Sequence, residues 1–124
     1  MKIKESGENY LETILLLGNK SGFVRAVDVA GELGYAKASV SRALSILKRE
    51  GYITIGENGQ IVFTKKGKEK ADGIYDRHRT VTDFLTKTLG ITKETAQADA
   101  CRMEHTLSEE TFAAMKKFLD ENNR

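Results

Sequence analysis

Residues 36–64 read AKASVSRALSILKREGYITIGENGQIVFT, and the pattern changes period halfway. In the first part Val40, Leu44 and Leu47 recur at i, i+4 and i+7, which gives a helix one apolar stripe. Ala38, Ser41, Arg42 and Ser45 fall on the other side, a face of small and polar groups. Gly51 closes that helix. YITIGENGQIVFT then alternates β-branched and aromatic residues about Asn58-Gly59, a dipeptide that favours a hairpin turn. A docked helix with a smooth polar face, followed at once by a hairpin, predicts the second half of a winged helix-turn-helix.

Upstream, ENYLETILLLGNKSG (residues 8–22) sets Tyr10, Leu11, Ile14, Leu15 and Leu17 on a broad apolar face, a helix ending between Gly18 and Gly22. VDVAGELG (27–34) is a short helix closed by Gly34. Downstream, a long helix is predicted from after Gly67 to Leu89, mildly interrupted at Gly73 and stopped at Gly90. Thr92 caps a fifth helix running to about Thr106. Ser108, followed by Glu109 and Glu110, caps a last helix that carries Phe112, Met115, Phe118 and Leu119. The predicted class is mainly α, with a winged helix-turn-helix DNA-binding domain over residues 1–70 and a helical domain over 71–124.

Composition sets bounds on function. Hydrophobic residues make up 40% and charged residues 31% of the 124, the balance of a soluble globular chain. No apolar run reaches the roughly 18 residues of a membrane span, and MKIKESGE has no apolar signal segment. A single cysteine excludes an intrachain disulfide framework, so the expected compartment is the reducing cytoplasm. Residues 1–70 carry 12 Lys+Arg against 8 Asp+Glu, a net +4, whereas residues 71–124 carry 8 against 10, a net −2. The asymmetry points to an anionic partner for the first half. On the reading helix Lys37, Ala38, Ser39 and Ser41 lie towards the N-terminal end, and Arg42 can meet two guanine acceptors or a phosphate. Arg25, entering the short helix, and Lys65, Lys66 and Lys68, after the hairpin, are placed to flank the backbone of double-stranded DNA.

The second half holds a different pattern. ADACRMEHTLSEE (98–110) contains the only cysteine and one of two histidines, with Cys101, Glu104 and His105 at i, i+3 and i+4 on one helical face. Three donors fall short of a full set for most divalent metals, so others must come from elsewhere. The remaining histidine, His78, lies on the fourth helix, and Asn9 and Glu12 share a face of the first. If these helices pack together, six donors converge. Each has an ordinary alternative: a buried small thiol, a histidine in a basic stripe with Arg77 and Arg79, a helix carboxylate. Met103 and Leu107 already supply the apolar positions of the fifth helix, which makes the Cys-x-x-Glu-His block harder to read as packing.

Four segments together resemble the diphtheria-toxin-repressor family of metal-dependent repressors, including its short manganese-transport-regulator branch: ESGENYLETILLL, ASVSRALSILKREGYI, FTKKGKEKADGIYDRHR and ACRMEHTLSEE. The resemblance implies a homodimeric repressor of metal-uptake genes, with winged helices at the ends and helices four to six forming the metal-binding and dimerisation core. It implies that Cys101, Glu104, His105 and Asn9 hold the effector metal, that His78 belongs to a neighbouring site, and that Glu12 matches a carboxylate of the manganese branch. Asn9 replaces the Met of iron-type and the Asp of manganese-type members. Thr82 stands where relatives carry a Glu ligand, next to Asp83, and Gln97 replaces a His. The chain is expected to lack the SH3-like domain of longer relatives. A thiolate among harder donors favours Fe(II) over Mn(II), with Co(II), Ni(II) or Zn(II) able to substitute in vitro. The alternative is a redox-sensing winged-helix regulator in which Cys101 is oxidised, without a second cysteine to resolve it. A Cys-His hydrolase has no oxyanion hole or glycine-rich turn to draw on, so no enzyme activity is expected.

Overall fold

The computed structural model describes residues 5–122; the first four residues of MKIKESGE, read above for a signal segment, lie outside the described residues. The elements are α1 (Glu5–Ser21), α2 (Ala26–Leu33), α3 (Lys37–Arg49), β1 (Ile53–Ile55), β2 (Ile61–Phe63), α4 (Lys65–Leu89), α5 (Lys93–Met103) and α6 (Glu109–Asn122). The mainly α class and the element order follow the sequence reading. Chain contacts divide the molecule into two compact units, with the boundary between Asp72 and Gly73 inside α4.

In the first unit α1 packs on α2 and α3. Val40, Leu44 and Leu47 are buried as a stripe, against a core that includes Val29 and Ile53. Gly34, at φ 71°, ends α2 and returns its N–H to the Ala30 carbonyl. β1 and β2 pair antiparallel, Ile53 opposite Phe63 and Ile55 opposite Ile61. The Ile61 amide also donates to the Val24 carbonyl at 2.8 Å, fastening the wing to the segment before α2. The turn is longer than a two-residue Asn-Gly hairpin. Gly59 donates to Gly56 O at 3.0 Å, and Gly56 to Gln60 O at 2.9 Å. Glu57 and Asn58 therefore form the centre of the turn, and Gly59, at φ 77°, supplies its left-handed residue.

Helix α4 starts two residues before Gly67, earlier than the sequence suggests. The reason is Thr64, whose Oγ1 accepts from the Gly67 amide at 3.0 Å and donates to the Gly51 carbonyl at 2.6 Å. Gly67 is thus the third residue of the helix rather than a break before it, and it is there for space. A Cβ on Gly67 would lie 1.8 Å from the Tyr52 carbonyl oxygen, whereas a Cβ on Gly73 meets nothing within 4 Å. Nor does Gly73 interrupt the helix. Substituting each by alanine is expected to act with opposite sign: Gly67→Ala costs about 3 kcal/mol through overpacking, and Gly73→Ala gains about 0.5–1 kcal/mol of helix propensity. Urea unfolding of the two variants checks both. A Gly67→Ala protein as stable as wild type would contradict the close approach.

In the second unit Val81 and Leu85 of α4 bury against Ala96 and Ala100 of α5, with Ile91, Met103, Leu107 and Met115 packed around them. Thr92 caps α5 by accepting from the Thr95 amide, and Ser108 caps α6 by accepting from Thr111. Helix α5 stops at Met103, three residues short of the expected end. Phe112, Met115 and Leu119 of α6 are half-buried, and Phe118 is exposed.

Candidate metal centre and DNA-reading helix

Cys101 sits on the last turn of α5. Glu104 is the residue after that helix, still at helical dihedrals (φ −59°, ψ −26°), so the two keep the i, i+3 face. His105 belongs to the following turn, not to the helix as expected. The turn is tightened by Thr106 and Leu107, whose amides both donate to the Met103 carbonyl. This bend swings the imidazole round, yet it stays next to the carboxylate.

Glu104 is the centre of the arrangement. Its side chain is fully buried, 0% exposed. Oε2 lies 2.7 Å from His78 Nδ1 of α4, and Oε1 lies 3.3 Å from His105 Nε2. Among the described residues Oε1 has no hydrogen-bond partner of good geometry. Ligand atoms of His78, Cys101 and Glu104 all fall within 4.8 Å of one another. A buried carboxylate is costly without compensation, and imidazole, thiol and carboxylate are the donors that a transition metal takes. The residues fit such an ion. Cys101 itself is exposed.

The remaining predicted donors, Asn9 and Glu12, lie one turn apart on α1 in the first unit, Asn9 half-buried and Glu12 buried. Thr82 is buried and donates its hydroxyl to the His78 carbonyl at 2.8 Å, while Asp83 and Gln97 are exposed. Arg77, which periodicity leaves in a basic stripe, instead donates to the carbonyls of Glu104 and Leu107. Only contacts distant in sequence mark it out.

On the reading helix Lys37, Ala38, Ser39, Ser41 and Arg42 are all exposed, as is Arg25 at the start of α2, where its guanidinium lies 4.8 Å over the Phe23 ring. Lys65 is exposed. Lys66 holds two internal contacts: its ammonium donates to the Glu50 carbonyl at 2.8 Å and lies 4.4 Å over the Tyr52 ring. Its charge therefore also closes the C-terminal end of α3.

A winged helix-turn-helix followed by a helical unit with a His-Cys-Glu cluster about a buried carboxylate defines a metal-responsive DNA-binding regulator. Residues 2–59 match the iron dependent repressor N-terminal DNA binding domain, and residues 64–124 match the iron dependent repressor metal binding and dimerisation domain. The chain belongs to the iron dependent repressor family of metal-dependent transcriptional repressors. It is 33% identical over 119 residues to an HTH-type transcriptional regulator of Methanocaldococcus jannaschii, covering 95% of each chain. It is 34% identical to the transcriptional regulator MntR of Escherichia coli, covering 96% of this chain and 76% of that one. The solved structure of the manganese regulator SloR superimposes with a TM-score of 0.80 at 26% identity, over 97% of this chain. The chain spans about half the length of that structure, 55%.

Proposed function

We propose that this protein represses metal-uptake genes by binding operator DNA as a homodimer when its metal site is filled, with Fe(II) favoured over Mn(II). Residues 1–70 bind DNA; residues 71–124 bind metal and dimerise. Cys101, Glu104, His105 and His78 are the donors of the second domain, and Asn9 and Glu12 complete the set from α1. A bound divalent ion supplies the positive charge that the buried Glu104 carboxylate calls for. Holding α1 through Asn9 and Glu12 then limits the positions the reading head can take, favouring the spacing of two operator half-sites. The exposed Phe118 and the half-buried Phe112, Met115 and Leu119 give α6 an apolar face suited to a second copy of the chain. The protein performs no catalytic step and works in the cytoplasm.

The observation that carries this reading is the buried Glu104 carboxylate, 2.7 Å from His78 and within ligand reach of Cys101. Anaerobic operator-binding titrations with Fe(II), Mn(II) and a chelator test it. Binding that ignores metal and follows peroxide treatment instead would favour the redox alternative. The DNA face has its own test. Arg25→Ala is expected to weaken binding to all sequences and flatten its salt dependence by about one counterion, because a phosphate contact is blind to sequence. Arg42→Ala is expected to relax base preference as well. Unchanged affinity in both variants across a salt series would remove this face from the interface.

A further inference from the structure

Arg77 precedes His78 on α4, but it is not a solvated charge: its side chain is 18% exposed. Nη1 donates to the carbonyl oxygens of Glu104 at 3.4 Å and Leu107 at 3.0 Å. Nη2 donates to the Glu109 carboxylate, and the guanidinium carbon lies 4.9 Å from the centre of the Phe112 ring. The four contacts bracket one short segment. Glu104 closes α5, Leu107 precedes the Ser108 cap, and Glu109 and Phe112 stand at the beginning of α6. A helix C-terminus leaves carbonyls without partners, and neither glycine nor proline follows α5 to end it. A planar guanidinium presents several donors in a fixed fork, which suits two carbonyls and a carboxylate at once.

We infer that Arg77 is a positioning residue of the metal centre, bracing the Glu104–Leu107 turn so that Glu104 is held in place beside His78, and His105 beside Glu104. The inference rests on the metal-site reading above. Adjacent residues of α4 supply one donor, His78, and the brace for two others. Without the brace the turn must be ordered when metal binds, and that ordering is taken from affinity. A second tie between the same helices, Lys116 to Asp76 at 2.8 Å, does not touch the 104–107 segment and serves as a control.

The test is an anaerobic Co(II) titration of the full chain, reading the thiolate charge-transfer and d–d bands, beside melting of each metal-free protein. Arg77→Ala is expected to bind Co(II) about tenfold or more weakly, the scale of a lost ligand-orienting contact, with altered d–d intensity. Arg77→Lys is expected to recover part of the affinity, since an ammonium lacks the fork. Glu109→Gln should fall in between, and Lys116→Ala should match wild type in affinity and spectrum. Wild-type affinity and bands in Arg77→Ala overturn the inference. So does an equal loss in Lys116→Ala, which would make the effect general to α4 and α6 packing. Should Arg77→Ala fail to fold, wild-type behaviour of both Arg77→Lys and Glu109→Gln overturns it equally. Absence of a thiolate band in wild type itself would sink the metal reading first, and that result is distinct because it precedes any variant.

Discussion

Glu104→Gln is expected to lower affinity for Fe(II) and Co(II) by about a hundredfold or more, and to abolish metal-dependent operator binding. Glutamine keeps the shape of the side chain and one carbonyl oxygen, so the change isolates charge. Glu104 is 0% exposed and has an imidazole at each oxygen, 2.7 Å at His78 Nδ1 and 3.3 Å at His105 Nε2. In the metal-free protein, removing a buried charge relieves a desolvation cost; the melting temperature should hold or rise. With metal the order reverses. Wild type at a hundredfold excess over Kd gains roughly 2.7 kcal/mol, a rise on the order of 10 °C for a chain of this size, and the variant gains little. Calorimetry of both proteins with and without Co(II) reads all four values. An equal metal-induced rise in the variant would remove Glu104 from the ligand set.

The parts of the fold legible in the sequence are those fixed by local pattern. The α3 stripe of Val40, Leu44 and Leu47 needs only a 3.6-residue period, and its burial follows. The caps at Thr92 and Ser108 are local in the same sense. The misjudged boundaries have long-range causes. Gly67 looks like a breaker until the Tyr52 carbonyl, fifteen residues upstream, is seen to occupy the space of its Cβ. The end of α5 has no breaker at all; Arg77, on another helix and 27 and 30 residues away, donates to the carbonyls of the cap residue Glu104 and of Leu107 in the turn beyond. The same limit applies to the centre. Helical spacing puts Cys101 beside Glu104, but that Glu104 is fully buried against His78 is set by how α4 and α5 pack through Val81, Leu85, Ala96 and Ala100. Lys66 likewise reads as one more surface cation, and its place over Tyr52 is decided by the tertiary fold.

The sulfur in the centre leads to the other large expected effect. Cys101 is exposed, so exchanging it disturbs no core, whereas its neighbour Ala100 is fully buried. Its ligand atom lies within 4.8 Å of those of His78 and Glu104. A thiolate is a softer donor than a carboxylate and selects Fe(II), Co(II) and Zn(II) over Mn(II). The hard oxygens of Glu104 and, on the proposed ligand set, of Asn9 and Glu12 keep Mn(II) disfavoured rather than excluded. Cys101→Asp should therefore raise the effectiveness of Mn(II) relative to Fe(II) in activating DNA binding by about tenfold, a change of roughly 1.4 kcal/mol in their difference. The substitution also removes the thiolate charge-transfer band with Co(II) while leaving the other five proposed donors and supplying a carboxylate, so binding itself persists and the ratio remains measurable. Paired anaerobic titrations of both proteins with both metals decide the matter. A wild type that prefers Mn(II) outright, or a ratio unmoved by the substitution, would mean that Cys101 does not set the metal. Selectivity would then have to be sought in Asn9 and Glu12, the oxygen donors proposed on α1.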